Sequence, residues 1–246
     1  MQGVRLFDVR ERLEKIYLDD RRFGSGRKFS ERLAATVGAE GILLDIGCGE
    51  ATLRAQLDPR ARYVGVDRYL GEKSGEYSGW DMRPSVVADA HCLPFKDDTF
   101  TVVAMMHVLE HISEPHVVFQ EVWRLLIPGG HLFVDVPFLY QLHHQPNDYF
   151  RYTPYSLRHL AESSGFEVQE ILPSGGYFRF IAYALRRAPS SVSTRGVYGL
   201  IIRAFIGWPL AAIGAVLGSA QYLLDICDNN QEMVCGYHVI MRKPVK

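Results

Sequence analysis

The sequence predicts an α/β fold: a mostly parallel seven-stranded sheet with helices on both faces and a helical insertion before the last strand. Three observations carry this. Short apolar runs alternate with stretches of helical periodicity along the chain. The first run closes in a glycine-rich turn, and the second ends in an acidic residue about 20 residues later, as at the mouth of a ligand-binding parallel sheet. The last two runs are separated by the segment 173–233, after which the chain must return to the same sheet.

Taken in order, residues 1–40 read as N-terminal helices that would serve as a lid: VRERLEKIYLDD is amphipathic and charged, and Lys28 to Val37 is a second helix. The core follows over 41–172. Ile42–Ile46 is a buried strand, and the Gly-rich turn after it leads into the helix-like EATLRAQL. Tyr63–Val66 is the second strand, ending at Asp67, and RYLGEKSGEYSGWDMRP reads as an irregular loop. Ser85–Ala88 and Phe100–Met106 are the third and fourth strands. Pro115–Leu126 is a helix by its spacing of Val117, Val118, Val122, Leu125 and Leu126; Pro128-Gly129-Gly130 stops it before the fifth strand, HLFVDV. Pro154–Ser164 is a helix ended by Gly165, and Phe166–Leu172 is the sixth strand. An apolar helical insertion (173–233) and a final strand with the C-terminus (234–246) complete the chain.

Composition narrows the function classes. The 246 residues suit one large domain or a domain with an insertion, and a net charge of −1 gives no reason to expect nucleic acid. The four cysteines, Cys48, Cys92, Cys227 and Cys235, show no CxxC spacing, which fits reduced thiols in a cytoplasmic protein. The N-terminus lacks the apolar core of a signal peptide. Ala204–Leu224 carries no formal charge and reaches the length of a membrane span, although Pro209 and three glycines weaken that reading.

The stretch LLDIGCGEATL is the most informative. Strand, Gly47-Cys48-Gly49 turn and helix give a place where backbone can approach a ligand closely, and Asp67 is positioned to accept both hydroxyls of a ribose. A dinucleotide fingerprint would need a third glycine where Thr52 stands, and Asp45 precedes the turn. Asp45-Ile46-Gly47-Cys48-Gly49 resembles the first motif of class I S-adenosylmethionine-dependent methyltransferases of the type 11 kind. YVGVD (63–67) resembles their second-strand motif, ADAHCLPFKDDTFTVVAMMHVLEHI (88–112) their adenine segment and fourth strand, and EVWRLLIPGGHLFVDVP (121–137) their fifth-strand region.

This resemblance implies a Rossmann-like fold and S-adenosyl-L-methionine as cofactor. Asp45, Gly47, Cys48 and Gly49 would border the methionine part, Asp67 would hold the ribose with Arg68 beside it, and Asp89 and Ala90 would face the adenine. His107 would line the methionine side or the transfer face; a packed strand-end histidine is the plainer alternative. A nicotinamide-dependent oxidoreductase on a similar sheet and an inactive cofactor-binding scaffold are the rival readings.

After the fifth strand comes HHQPNDYFRYTP (143–154), which resembles a loop of a methyltransferase subgroup linked to polysaccharide and glycolipid biosynthesis. It would face the acceptor: His143 or His144 as general base, Asp148 orienting it, and Tyr149, Arg151 and Tyr152 forming the acceptor pocket. Thr153 before Pro154 is also a helix N-cap, and Asp148 with Arg151 could simply hold the loop. No metal is expected, because adjacent histidines rarely point the same way. The acceptor would be a small molecule, glycan or lipid-linked intermediate. The insertion reads as a packed lid or helical hairpin, or as a peripheral membrane contact through 197–226 with Trp208, Tyr222 and nearby arginines at the interface.

Overall fold

The computed structural model describes residues 25–69, 71–72, 81–192, 196–225 and 232–245. The helix expected over 9–20, Cys227 and Arg195 lie outside them. The chain divides into two compact units, one made of Lys28–Leu172 and Gly236–Lys246, the other holding Pro173–Cys235.

The strands in chain order are β1 (Ile42–Ile46), β2 (Arg62–Asp67), β3 (Gly71–Glu72), β4 (Asp81–Met82), β5 (Val86–Val87), β6 (Phe100–Met106), β7 (Leu126–Pro137), β8 (Glu167–Ser174) and β9 (Gly236–Arg242). Seven of them form one sheet in the order β5-β2-β1-β6-β7-β9-β8. The pairs β1–β2, β1–β6, β2–β5 and β6–β7 are parallel, while β7–β9 is antiparallel. The mostly parallel seven-stranded sheet is therefore as expected. Its central strands are buried without alternation: Leu43 and Leu44 in β1 and Val102 to Met105 in β6 are fully inaccessible, as strands covered on both faces must be. The chain runs outward from β1 through β2 to β5 and then returns to place β6 on the other side of β1. That reversal opens a crevice at the carboxyl ends of β1 and β6.

Among the described residues, three helices cover this sheet. In α1 (Ser25–Val37), Phe29, Leu33 and Val37 recur every fourth residue and pack with Leu43, Phe133 and Ile240. In α2 (Pro115–Leu125), Pro115 opens the first turn and Val118, Phe119, Val122 and Leu125 are buried. In α3 (Pro154–Ser163), the Thr153 side chain accepts from the Ser156 amide and Ser156 returns the bond, a reciprocal cap before buried Leu157 and Ala161.

Three local expectations are corrected. EATLRAQL forms only a five-residue 3-10 turn, Thr52–Gln56, entered through left-handed Ala51 (φ 57°) without a side-chain cap and stopped before Asp58-Pro59. The Pro128-Gly129-Gly130 stop lies inside β7, because Gly129 (φ 83°) lets the chain keep pairing while the register with β6 shifts between Phe100 and Val102. Within the loop after β2, β3 and β4 pair antiparallel.

The second unit is helical. Its elements are α4 (Tyr177–Arg186), the one-turn α5 (Ala188–Ser191), α6 (Gly196–Ile202) and α7 (Trp208–Asp225), with a π-helical turn over Arg203–Gly207 joining the last two. Pro209 has no N–H for the Phe205 carbonyl, so the helix widens ahead of it rather than breaking. Helices α4 and α7 meet at Gly214, where an added Cβ would lie 2.8 Å from the Ala182 carbonyl oxygen and 2.8 Å from the Arg186 amide.

Candidate active site

The mouth of the sheet is shaped by backbone first. Gly47 (φ 71°) and Gly49 (φ 53°) both take left-handed conformations, and the Gly47 and Cys48 amides donate to the Val66 carbonyl at 2.7 and 3.1 Å. A Cβ on Gly47 would sit 2.3 Å from Val108 Cγ2, so no larger residue fits there. Asp67, at the end of β2, accepts from the Gly49 amide (Oδ2, 3.1 Å) and the Tyr69 amide (Oδ1, 3.2 Å). Each oxygen keeps a lone pair for another donor, which is what a vicinal diol requires.

Behind the turn lies Asp45, buried and accepting from the Tyr63 hydroxyl at 2.7 Å. Burial raises its pKa to about 7 against the lowering effect of that bond, and the charge of Asp67 adds to the rise. Burial and the same two carboxylates push the Cys48 thiol up to about 12, so it stays protonated and serves as packing rather than nucleophile. Asp89 accepts from the His91 amide at 3.0 Å and pairs with Arg68 at 2.8 Å; the amide bond is the main reason its pKa falls to about 2. Asp89 thus caps a turn as well as facing outward, with Ala90 half-buried beside it.

These features suit a cationic nucleoside such as S-adenosylmethionine. Glycines leave room for close approach, Asp67 offers acceptors to a ribose, and Asp67 and Asp89 supply negative charge. A pyrophosphate would instead call for a long helix starting at the turn, where only the short 3-10 turn stands.

The side expected to face an acceptor is built from the ends of β6 and β7. His107 follows β6 in a left-handed conformation (φ 55°), its amide donating to the Asp135 carbonyl at 2.9 Å. Its side chain is 56% exposed, with Nε2 3.4 Å from Asp135 Oδ2. Three residues on is Glu110, which the motif reading passed over. It is completely buried, and its Oε1 lies 3.7 Å from His107 Nδ1, 3.7 Å from His111 Nε2 and 3.6 Å from His143 Nε2. Those spacings are too long for hydrogen bonds. Burial would raise the Glu110 pKa, but the surrounding imidazoles outweigh it and hold the carboxylate at about 2. The one signal in the sequence was an acid flanked by buried Leu109 and Ile112.

The loop after β7 is held from within. Asp148 accepts from the His143 amide at 2.9 Å and from both Arg151 Nη atoms at 2.7 Å, while Arg151 also donates to the carbonyls of Gln141 and Phe150, both at 2.8 Å. Asp148 holds the His143 backbone and lies 3.4 Å from its Nδ1, while Arg151 is tied into the loop. Tyr152 is corrected: it is 6% exposed and its hydroxyl donates to the Leu109 carbonyl, so it braces the loop from beneath. Tyr149 stays open, 48% exposed. His143 and His144 are half-buried, and His143 turns Nε2 inward to Glu110. The ring best placed to meet a substrate is His107.

Residues 44–134 match the methyltransferase domain family. The ubiquinone/menaquinone biosynthesis C-methyltransferase UbiE of Desulfotalea psychrophila is 34% identical over 110 residues, 42% of this chain and 44% of that protein. The malonyl-(acyl-carrier protein) O-methyltransferase of Legionella pneumophila is 31% identical over 111 residues, 43% of this chain and 39% of its own. The chain thus spans less than half the length of either relative. A SAM-dependent methyltransferase of known structure from Archaeoglobus fulgidus superposes with a TM-score of 0.53 at 15% identity, covering 93% of this chain and 99% of that one; this likeness speaks for the fold. Sheet order, glycine turn and strand-end acid define a Rossmann-like cofactor-binding protein. Residues 44–134 therefore match the methyltransferase domain family, on a fold shared with S-adenosylmethionine-dependent methyltransferases of known structure.

Proposed function

We propose that the protein transfers a methyl group from S-adenosylmethionine to a hydroxyl of a glycan or lipid-linked intermediate, with His107 as the general base. The observation that carries this is the exposed His107 ring at the end of β6, beside the Asp135 carboxylate. When bound, S-adenosylmethionine supplies a methyl group already activated on a sulfonium. The chain has to orient the acceptor, exclude water and receive one proton. Imidazole titrates in the range where such transfer is efficient, and Asp135 stabilises its charged form. The expectation that His143 or His144 is the base gives way because both rings sit inside the loop.

The insertion supports an acceptor held at a bilayer and a cytoplasmic protein that touches the membrane from one side. Gly196–Ala220 is long and apolar enough to cross a membrane by length and composition, and only 11% of its apolar 18-residue window is buried. Tyr198, Phe205, Trp208 and Val216 are all more than half exposed. Aromatic and aliphatic side chains along such a helix, with Arg203 among them, suit insertion at the headgroup level. Anionic vesicles should sediment the wild-type protein and leave a Phe205→Asp/Trp208→Asp variant in solution. Equal partition of the two proteins would remove the membrane reading.

The acceptor itself is tested by radioactive methyl transfer into a cell extract separated into lipid, glycan and small-molecule pools. Label in the lipid or glycan pool that disappears with His107→Gln supports the proposal; label confined to the small-molecule pool overturns it.

A further inference from the structure

Glu110 poses a problem that methyl transfer does not solve. A carboxylate that is fully buried with neither oxygen hydrogen-bonded is costly unless a charge compensates it. What surrounds it is a set of imidazole nitrogens. His111 Nδ1 lies 2.6 Å from the Asn147 carbonyl oxygen, so Nδ1 donates there and Nε2, facing Glu110, is the nitrogen left to bind a metal in exchange for a proton. His143 repeats the pattern. Its Nδ1 faces the Gln141 carbonyl at 3.3 Å and Asp148 Oδ2 at 3.4 Å, with Arg151 Nη2 also at 3.4 Å, and its Nε2 is turned to Glu110. Ring nitrogens held by a carbonyl or carboxylate on one side and free to donate a lone pair on the other are the usual supporting arrangement of metal-bound histidines.

The third ring is supplied by an unusual backbone. His144 is left-handed (φ 52°), a conformation that non-glycine residues adopt only where the surroundings hold it. That conformation brings two consecutive rings to the same place, against the expectation that adjacent histidines point apart. One donor atom each from His111, His143 and His144 lies within 4.8 Å of the other two. Tetrahedral binding at about 2.0–2.1 Å places donors roughly 3.3–3.4 Å apart, so closure needs ring movements of about an ångström. Glu110 Oε1 stands 3.7 and 3.6 Å from two of the nitrogens, as a counter-charge beside them.

We propose that His111, His143 and His144 form a three-histidine site for a divalent transition metal of the zinc type, with the Glu110 carboxylate beside two of the rings as its counter-charge. Three imidazoles suit such an ion, with the fourth position left to water. It would pin the loop after β7 onto the turn after β6, where the Glu110 carbonyl already accepts from the Tyr149 amide at 2.9 Å.

The test uses full-length protein stripped with a chelator, then reloaded with Zn²⁺ or Co²⁺. One metal ion per chain, tetrahedral visible bands with Co²⁺ and a higher melting temperature are expected. His111→Gln and His144→Gln should each lose the ion, and Glu110→Gln should weaken binding tenfold or more. His116→Gln and His159→Gln, changed at exposed histidines elsewhere in this unit, should keep it. Circular dichroism and binding of S-adenosylhomocysteine report folding in every variant. A folded wild-type protein that takes up no ion, or an ion retained by the folded His111→Gln/His144→Gln double variant, overturns the proposal. Because the ion is counted directly, an absence of methyl transfer would leave this result untouched.

Discussion

Single side chains at the sheet mouth have roles separable by substitution. Gly47→Ala adds a Cβ that meets Val108 at 2.3 Å and forces a left-handed alanine, so stability should fall by about 1–3 kcal/mol and cofactor binding with it. Thermal unfolding and calorimetric titration with S-adenosylhomocysteine measure both. Asp67→Asn keeps the shape and removes the charge that holds a diol, so cofactor affinity should drop about tenfold while the fold is retained. His107→Gln should behave differently from both. Turnover should fall by roughly 10²–10⁴ with cofactor affinity unchanged, since only the proton acceptor is lost. A matching loss of affinity would assign His107 to the cofactor instead.

At the scale of elements, the loop after β7 and the helix after it are one construction. Thr153→Ala removes the reciprocal cap on α3 and should cost about 1 kcal/mol in chemical denaturation, and a Thr153→Ala/Ser156→Ala pair should cost less than the sum of the two. In the helical unit, α4 and α7 approach closely because Gly214 has no side chain. Gly214→Leu should separate them, and limited proteolysis should then cut within 173–233 first while the sheet unit persists.

For the molecule as a whole, the raised pKa of Asp45 gives stability a pH dependence. The folded chain keeps a proton on this group up to about pH 7, whereas the unfolded chain loses it near the ordinary value of 3.8. Between those values the folded state binds more protons. Its contribution is therefore complete below about pH 4 and is lost as pH rises toward 7, by up to a few kcal/mol. Asp45→Asn should flatten that segment of the profile in cofactor-free protein. A variant with an unchanged slope would show that Asp45 is ionised throughout.

What the sequence determined by itself are features set by local chemistry. Apolar runs bounded by turn residues specified the strands, and the Gly47-Cys48-Gly49 turn with Asp67 marked the cofactor end, because dihedral freedom and strand termination are written in neighbouring residues. The same locality explains the misses: EATLRAQL has a helical pattern but enters through left-handed Ala51, which no periodicity reveals. Tertiary structure alone decided the acceptor side. Tyr152 looked available and is buried under the loop, while Glu110 looked like part of a helix entry and is the centre of a histidine cluster. His111 and Asn147, 36 residues apart, meet only because parallel β6 and β7 end side by side. Which way a ring faces depends on that convergence and on the left-handed turn at His144, and neither is encoded in any short stretch of chain.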